Sequence, residues 1–377
     1  MKTVQAVKFK NKQWDFISEM KDLKNPLVLV FGNRYLLESA TIYDEIKELF
    51  PTGSIVFGSS SGEILGDRVY DESISLTAIE FEKSTFIVHA ENVQNFNNDV
   101  VALGETLINK FPLDNLKHVF IVSEGSTVNG SSLIKGLEKN IKTGVNISGG
   151  LCGDDARFER TIASFNSNPK DGEIIAIGLY GESLEITFAN YGGWTAFGPE
   201  RIVTKSKDNI LFELDHKPAL DLYKKYLGDK AKELPQAALL YPLNLRVKGS
   251  NDNLVRTILN IDEDNNTMIL AGDVPEGSTV QLMMSTVDDI AEGASKAALF
   301  AMQNRVHKPD LALLVSCIGR KLVMDQRTEE EIEEVIEAIG VQAVTTGFYS
   351  YGELSPFSGQ NECKLHNQTM TLTLISE

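Results

Sequence analysis

Three stretches of this chain repeat one local order: an apolar run, a glycine break, a helical stretch, a second apolar run, and a glycine-rich loop. The first unit runs from residues 27–31 past Gly32, through a helical pattern at Ile42, Ile46 and Leu49, to residues 55–57 and the loop GSSSGEILG, 58–66. The second runs from 119–122 past Gly125, through Leu133, Leu137 and Ile141, to 145–147 and GGLCGDD, 149–155. The third runs from 311–315 past Gly319, through Ile332, Val335 and Ile339, to 341–344 and GFYSYGE, 347–353. A crossover of this length makes the two strands of a unit parallel neighbours with a right-handed connection. Thr328 followed by Glu331 reads as a capping box for the third helix.

After each loop the pattern changes to residues of strand type, at 73–82 and 85–90 and again at 369–375, so the sheets are expected to be mixed. Between the second and third units the sequence reads as mainly β, at 174–179, 184–188, 201–203, 239–247, 255–261 and 268–271, with a helix at 288–303. The polar stretch 262–267 lacks the glycine and closing glutamate of a calcium loop and reads as a hairpin turn. The fold class is mixed α/β in two domains, 1–215 and 216–377, with the boundary placed in the interrupted pattern of 192–218.

The formal net charge of -17 has the wrong sign for tracking a phosphate backbone, which argues against nucleic-acid binding. Three scattered cysteines, Cys152, Cys317 and Cys363, read as reduced thiols of a cytoplasmic protein. No apolar stretch reaches 18 residues and the first 20 residues hold no signal-peptide core, so neither membrane insertion nor export by that route is expected.

Each unit's loop holds a glycine followed at once by an acid: Gly62-Glu63, Gly153-Asp154 and Gly352-Glu353. Architecture alone explains such a pair, since glycine permits a positive φ and an acid caps turns. The functional reading is that three loops at strand ends, with free backbone N–H groups, form a small-ligand crevice. An amino acid needs N–H groups or an arginine for its carboxylate and an acid for its ammonium. Arg320 is the favoured arginine, with Arg34 in the comparable place of the first unit. The site is expected where Tyr351, Gly352 and Glu353 meet Arg320 and His366-Asn367, provided that 369–375 pairs beside 341–344; Tyr349 and Tyr351 would then face one side with Glu353. A polar turn at 366–368, and tyrosines packing an interface, are the plainer readings.

Gly58-Ser59-Ser60-Ser61-Gly62 matches a nucleophile elbow, but Glu63 to Gly66 leads to a further loop where an elbow requires a helix, so a Ser60 hydrolase has little support. Cys363-Lys364-Leu365-His366 has metal-ligand spacing, yet buried cysteine is the ordinary reading.

The loop IVFGSSSGEILG, the turn VSEGS, the segments SGGLCGDDARF and LVSCIGR, and the terminal TTGFYSYGELSP and CKLHNQTMTLTLI together resemble the FIST domain proteins, N-terminal and C-terminal modules both, over about 27–375. The resemblance implies a cytoplasmic sensory module for small ligands, amino acids foremost, with no assigned reaction. Any signalling output would then require a separate partner protein. Some relatives are described as haem-based gas sensors, so haem stands as an alternative cofactor, with His89, His118, His216, His307 and His366 as the available axial ligands.

Overall fold

A computed structural model describes residues 1–249, 253–357 and 359–377. All three repeated units fold as strand, helix, strand with parallel pairing. Leu27–Gly32 lies beside Ser54–Ser59, Leu116–Ser123 beside Asn146–Leu151, and Leu311–Cys317 beside Val344–Ser350. The local reason is visible in the first unit. Ile42 and Ile46, four residues apart on helix Ile42–Leu49, turn one apolar stripe onto the sheet, while Asp44 and Glu45 favour its positive N-terminal end.

Each unit forms the middle of a six-stranded mixed sheet. On the side of its first parallel strand lies an antiparallel strand: Ser73–Glu80, Glu173–Tyr180 and Met370–Ser376 respectively. On the side of the second strand each sheet receives a strand from a different unit. Glu63–Leu65, which follows the first unit's loop, pairs with Val344–Ser350 of the third. Gly352–Pro356, which follows the third unit's loop, pairs with Asn146–Leu151 of the second. Ala163–Phe165, downstream of the second unit's loop, pairs with Ser54–Ser59 of the first. The exchange closes a ring of three sheets. Phe31, Val56, Val122, Ile175, Val315 and Phe348 form a common core at its centre, where Phe31 and Phe348 stack at 4.5 Å.

Residues 195–284 form mainly a separate antiparallel sheet with its own apolar cluster around Leu211, Leu245, Met268 and Leu270. Its hairpin pairs Asp262 with Thr267, so the polar turn is the one anticipated. Helix Val287–Met302 returns the chain to the ring. Thr286 and Asp289 form a reciprocal capping box at its start, and Ala294, Ala297, Ala298 and Ala301 let it lie close to Ile332, Val335 and Ile339 of helix Glu330–Ile339.

Several expectations are corrected. The last strand pairs with Leu311–Cys317, on the opposite side of the third unit from 344–350. That unit's second strand is Val344–Ser350, and Val341 is exposed. Thr328 and Glu331 form no capping box: Thr328 donates to the Asp325 carbonyl, and Glu331 is buried on the inner face of its helix. Residues 239–247 divide into a short helical turn, Gln236–Leu240, and the strand Leu243–Arg246. Strand Lys2–Phe9, unanticipated, pairs along Ser73–Glu80. Three sheets draw strands from both sides of residue 215. Among the described residues no helix is long and apolar enough to cross a membrane.

Candidate ligand-binding groove

All three glycine loops converge, but they satisfy one another. Ser61 N–H donates to the Tyr349 carbonyl and Tyr349 N–H to that of Gly62. Gly153 N–H donates to Ser59 O, Ser61 Oγ to Asp155 O, and Tyr351 N–H to Leu151 O. Glycine is required by this closeness: a Cβ on Gly62, whose φ is +132°, would lie 2.5 Å from Lys321 Nζ, and one on Gly153 would meet the Ser61 backbone at 2.9 Å. The N–H groups expected to face a ligand are therefore spent inside the fold.

The three acids after the glycines occupy comparable places with different partners. Glu63 accepts from Ser60 Oγ at 2.5 Å and from Ser73 Oγ. Glu353 accepts from Ser350 Oγ at 2.6 Å and from Thr369 Oγ1 at 3.0 Å. Burial pushes both carboxyls up to about 8, with these hydroxyl donors acting in the opposite direction. Asp154, equally buried, pairs with Arg157 at 2.6 Å and Arg34 at 3.1 Å. Both arginines lie over the Tyr35 ring.

Arg320 is fully buried. Its guanidinium meets Glu331 at 2.7 Å and donates to the carbonyls of Gly192 and Ile290. Glu331 also accepts from Ser316 and from Tyr349 Oη at 2.6 Å. Arg320 thus fastens helix Ile318–Met324 to its neighbours. Glu331 was missed because a glutamate three residues after a threonine imitates a cap; its four-residue spacing from Val335 and eight from Ile339, on the apolar face, was the available signal. Tyr349 and Tyr351 face opposite ways, against expectation, because the chain changes sheets between them: Tyr351 Oη donates to Asp155 O and its ring stacks on Phe158 at 4.5 Å. Glu353 and His366 are cross-strand partners. Asn367 is fully buried, its amide without a hydrogen-bond partner among the described residues.

Ser60 is sealed in the interior and its hydroxyl is committed to Glu63. Cys317 and Cys363 are buried thiols, and no group of three metal-binding side chains occurs among the described residues. His118 is enclosed against Ser148 at 2.7 Å, and burial holds its pKa down at about 3. His366 lines a cavity with its Nε2 2.9 Å from the Ser355 carbonyl, and among the described residues no lysine or arginine lines that cavity.

Where the loop ring reaches the surface, a groove of about 530 Å3 opens between the first and second loops and helix Ile318–Met324. Lys321 stands at its edge, donating to Ser61 O at 2.8 Å and paired with Asp71. Across from it, Asp155 pairs with Arg157 at 2.7 Å, and burial raises its pKa despite the neighbouring guanidinium. Past Ala156 and Leu322, which border both parts, a second hollow of about 500 Å3 is lined largely by apolar side chains, among them Phe158, Leu239, Leu240 and Leu259. Charge at one end and hydrocarbon at the other are thus presented in sequence.

Fold and groove define the class: a mixed α/β scaffold of three strand-exchanged sheets with an appended antiparallel sheet. The chain belongs to the FIST family, whose N domain matches residues 26–217 and whose C domain matches 219–356; these domains are sensory signal-transduction modules. An uncharacterized protein of Methanocaldococcus jannaschii is 21% identical over 361 residues, covering 83% of this chain and 66% of its own. An uncharacterized protein of Mycobacterium tuberculosis, found alike in strains CDC 1551 and H37Rv, is 25% identical over 244 residues, 61% of this chain and 59% of its own. The chain therefore spans less than two thirds of the length of these relatives. A chorismatase crystal structure aligns over 99% of this chain and 98% of its own, at 9% identity and a TM-score of 0.33.

Proposed function

We propose that the chain is a sensor of an amino-acid-like ligand, seated in the groove between Lys321 and Asp155 with its side chain toward Phe158, Leu239 and Leu322. The observation that carries this is the juxtaposition of a cation, a half-buried acid and an apolar extension along one groove. An ammonium has three donors; Lys321 uses two on Ser61 O and Asp71, and the third is left for a ligand carboxylate. Asp155 is then the partner of the ligand's ammonium, and the apolar hollow favours a side chain such as that of leucine. Arg320, next to Lys321, ties the same helix to helices Val287–Met302 and Glu330–Ile339. Movement of Lys321 on binding is in this way passed to helices whose outer faces a separate output protein can read. No reaction belongs to this reading.

Thermal shift and calorimetry with L-leucine test it. At 100 times its dissociation constant a ligand contributes about 2.7 kcal/mol of stability. Lys321→Ala and Asp155→Asn should each weaken binding by about 1.5 to 3 kcal/mol through loss of a charge-assisted bond, while Glu353→Gln leaves affinity unchanged. No shift with leucine, or parental affinity in the two groove variants, overturns the assignment.

A further inference from the structure

The groove assigned to an amino acid is larger than an amino acid. Its charged part encloses about 530 Å3, and the apolar hollow that shares Ala156 and Leu322 with it encloses about 500 Å3. Each part alone lies within the range of about 300 to 1,000 Å3 that holds a whole drug-sized molecule. With its carboxylate at Lys321 and its side chain in the hollow, leucine leaves the far end of the charged part unfilled. That end is built from Val69 and Glu72, beyond the first loop, and from Asp325, Gln326 and Glu329, beyond helix Ile318–Met324.

The far end differs from the Lys321 seat in charge. Asp71, Glu72, Asp155, Asp325 and Glu329 line the charged part, and Lys321 is the one basic side chain among the described residues that line it. Asp71 is already matched by Lys321, and Asp155 by Arg157. Glu329 accepts from the Val69 N–H at 3.4 Å, while Glu72 and Asp325 have no side-chain partner among the described residues. Any one of these on an open surface is an ordinary solvated acid. As walls of one hollow they act together, because a cleft lined by one sign of charge focuses its field on whatever enters. An ammonium is attracted there and a carboxylate is repelled. The opposite end presents hydrocarbon left in water, Leu240 and Leu322 being 37% and 38% exposed.

We propose, resting on the amino-acid reading of the Lys321 seat, that the groove takes a short peptide in which a basic residue precedes an apolar C-terminal one, as in lysyl-leucine. The C-terminal carboxylate takes the spare donor of Lys321, and the leucine side chain lies toward Phe158 and Leu239. The leucine nitrogen, an amide N–H in a peptide, still donates to Asp155. The residue before it runs into the far end. There Gln326 offers an amide to the peptide link, and the α-ammonium and lysine side chain meet Glu72, Asp325 and Glu329. A free amino acid has nothing to place at that end. The groove also sets the order of the two residues, since leucyl-lysine would carry its cation into the largely apolar hollow.

Calorimetry on the full chain with lysyl-leucine, glutamyl-leucine, leucyl-lysine and leucine tests this. Lysyl-leucine should bind roughly tenfold tighter than each of the other three, and its advantage over glutamyl-leucine should shrink at about 0.5 M salt, which screens the acidic end. The double variant Glu72→Gln, Asp325→Asn removes two charges at exposed positions with little risk to folding; Asp325 has a φ of +48°, a conformation that asparagine tolerates. It should lose most of the preference for lysyl-leucine over glutamyl-leucine. Leucine binding with lysyl-leucine no tighter overturns the peptide and leaves the amino-acid reading in place. Lysyl-leucine binding that is lost in Lys321→Ala, with leucine silent, supports the peptide and overturns the free amino acid instead. Equal affinity for lysyl-leucine and glutamyl-leucine, or a preference untouched in the folded double variant, overturns the proposal, and no binding by any of the four overturns both readings.

Discussion

Asp154 and Glu353 follow corresponding glycines in corresponding loops and are buried to the same degree, yet one is matched by two guanidiniums and the other by hydroxyls. The repeated backbone decides where a carboxyl goes. What stands around it decides what charge it can hold there: Glu353, like Glu63, has its pKa raised by burial to about 8 and is mainly protonated at pH 7.

The largest expected difference between the two comes from removing the acid. Asp154→Ala leaves Arg34, itself buried, without its main partner, and should cost about 3 to 5 kcal/mol in denaturant unfolding. Glu353→Gln at pH 7 replaces a protonated carboxyl by an amide of similar shape and should stay within about 1 kcal/mol of the parent. Equal losses would erase the distinction between the sites.

The pH dependence sharpens it. A carboxyl whose folded pKa lies above its unfolded value makes the native state bind more protons, so stability falls as pH rises from the unfolded value toward the folded one. Glu63 and Glu353 should each contribute a decline of up to roughly 1.4 kcal/mol per pH unit between about 4.5 and 8, levelling above 8. Urea midpoints across this range should fall less steeply in the Glu63→Gln, Glu353→Gln double variant. A parallel pair of curves would place the proton elsewhere.

The smallest effect tests whether Glu63 and Glu353 are truly alike. Ser60→Ala and Ser350→Ala each delete one hydroxyl donor and should lose about 1 kcal/mol apiece at pH 7, matched to within a few tenths. A large disparity between them would show that the resemblance stops at the backbone.

The units and their parallel pairs were legible because every clue to them is local: glycine at the break, an apolar stripe on the helix, a second run within about 30 residues. The exchanged strands were not. Glu63–Leu65 and Ala163–Phe165 are three residues long, too short for a periodic pattern, and their partners lie far along the chain. The groove was legible by neighbourhood only. Gly62, Gly153 and Arg320 were singled out, and the groove is bordered by residues beside them, Ser61, Asp155 and Lys321. Glycine and arginine are easily noticed in a sequence; that the glycine N–H groups face one another, and that Arg320 faces Glu331, is decided by packing between units.

The ring of exchanged strands also governs how such a chain can be made. Leu65 pairs locally with Arg68 on one side and with Thr346 on the other, so the third sheet cannot be completed until nearly the whole polypeptide exists. Contacts of such sequence separation carry loop-closure entropy before they return any burial, which places this topology among the slow folders. A cut near residue 215 would leave each piece with open sheet edges, the kind of surface that recruits other chains. The two family modules are consequently successive in sequence and inseparable in space.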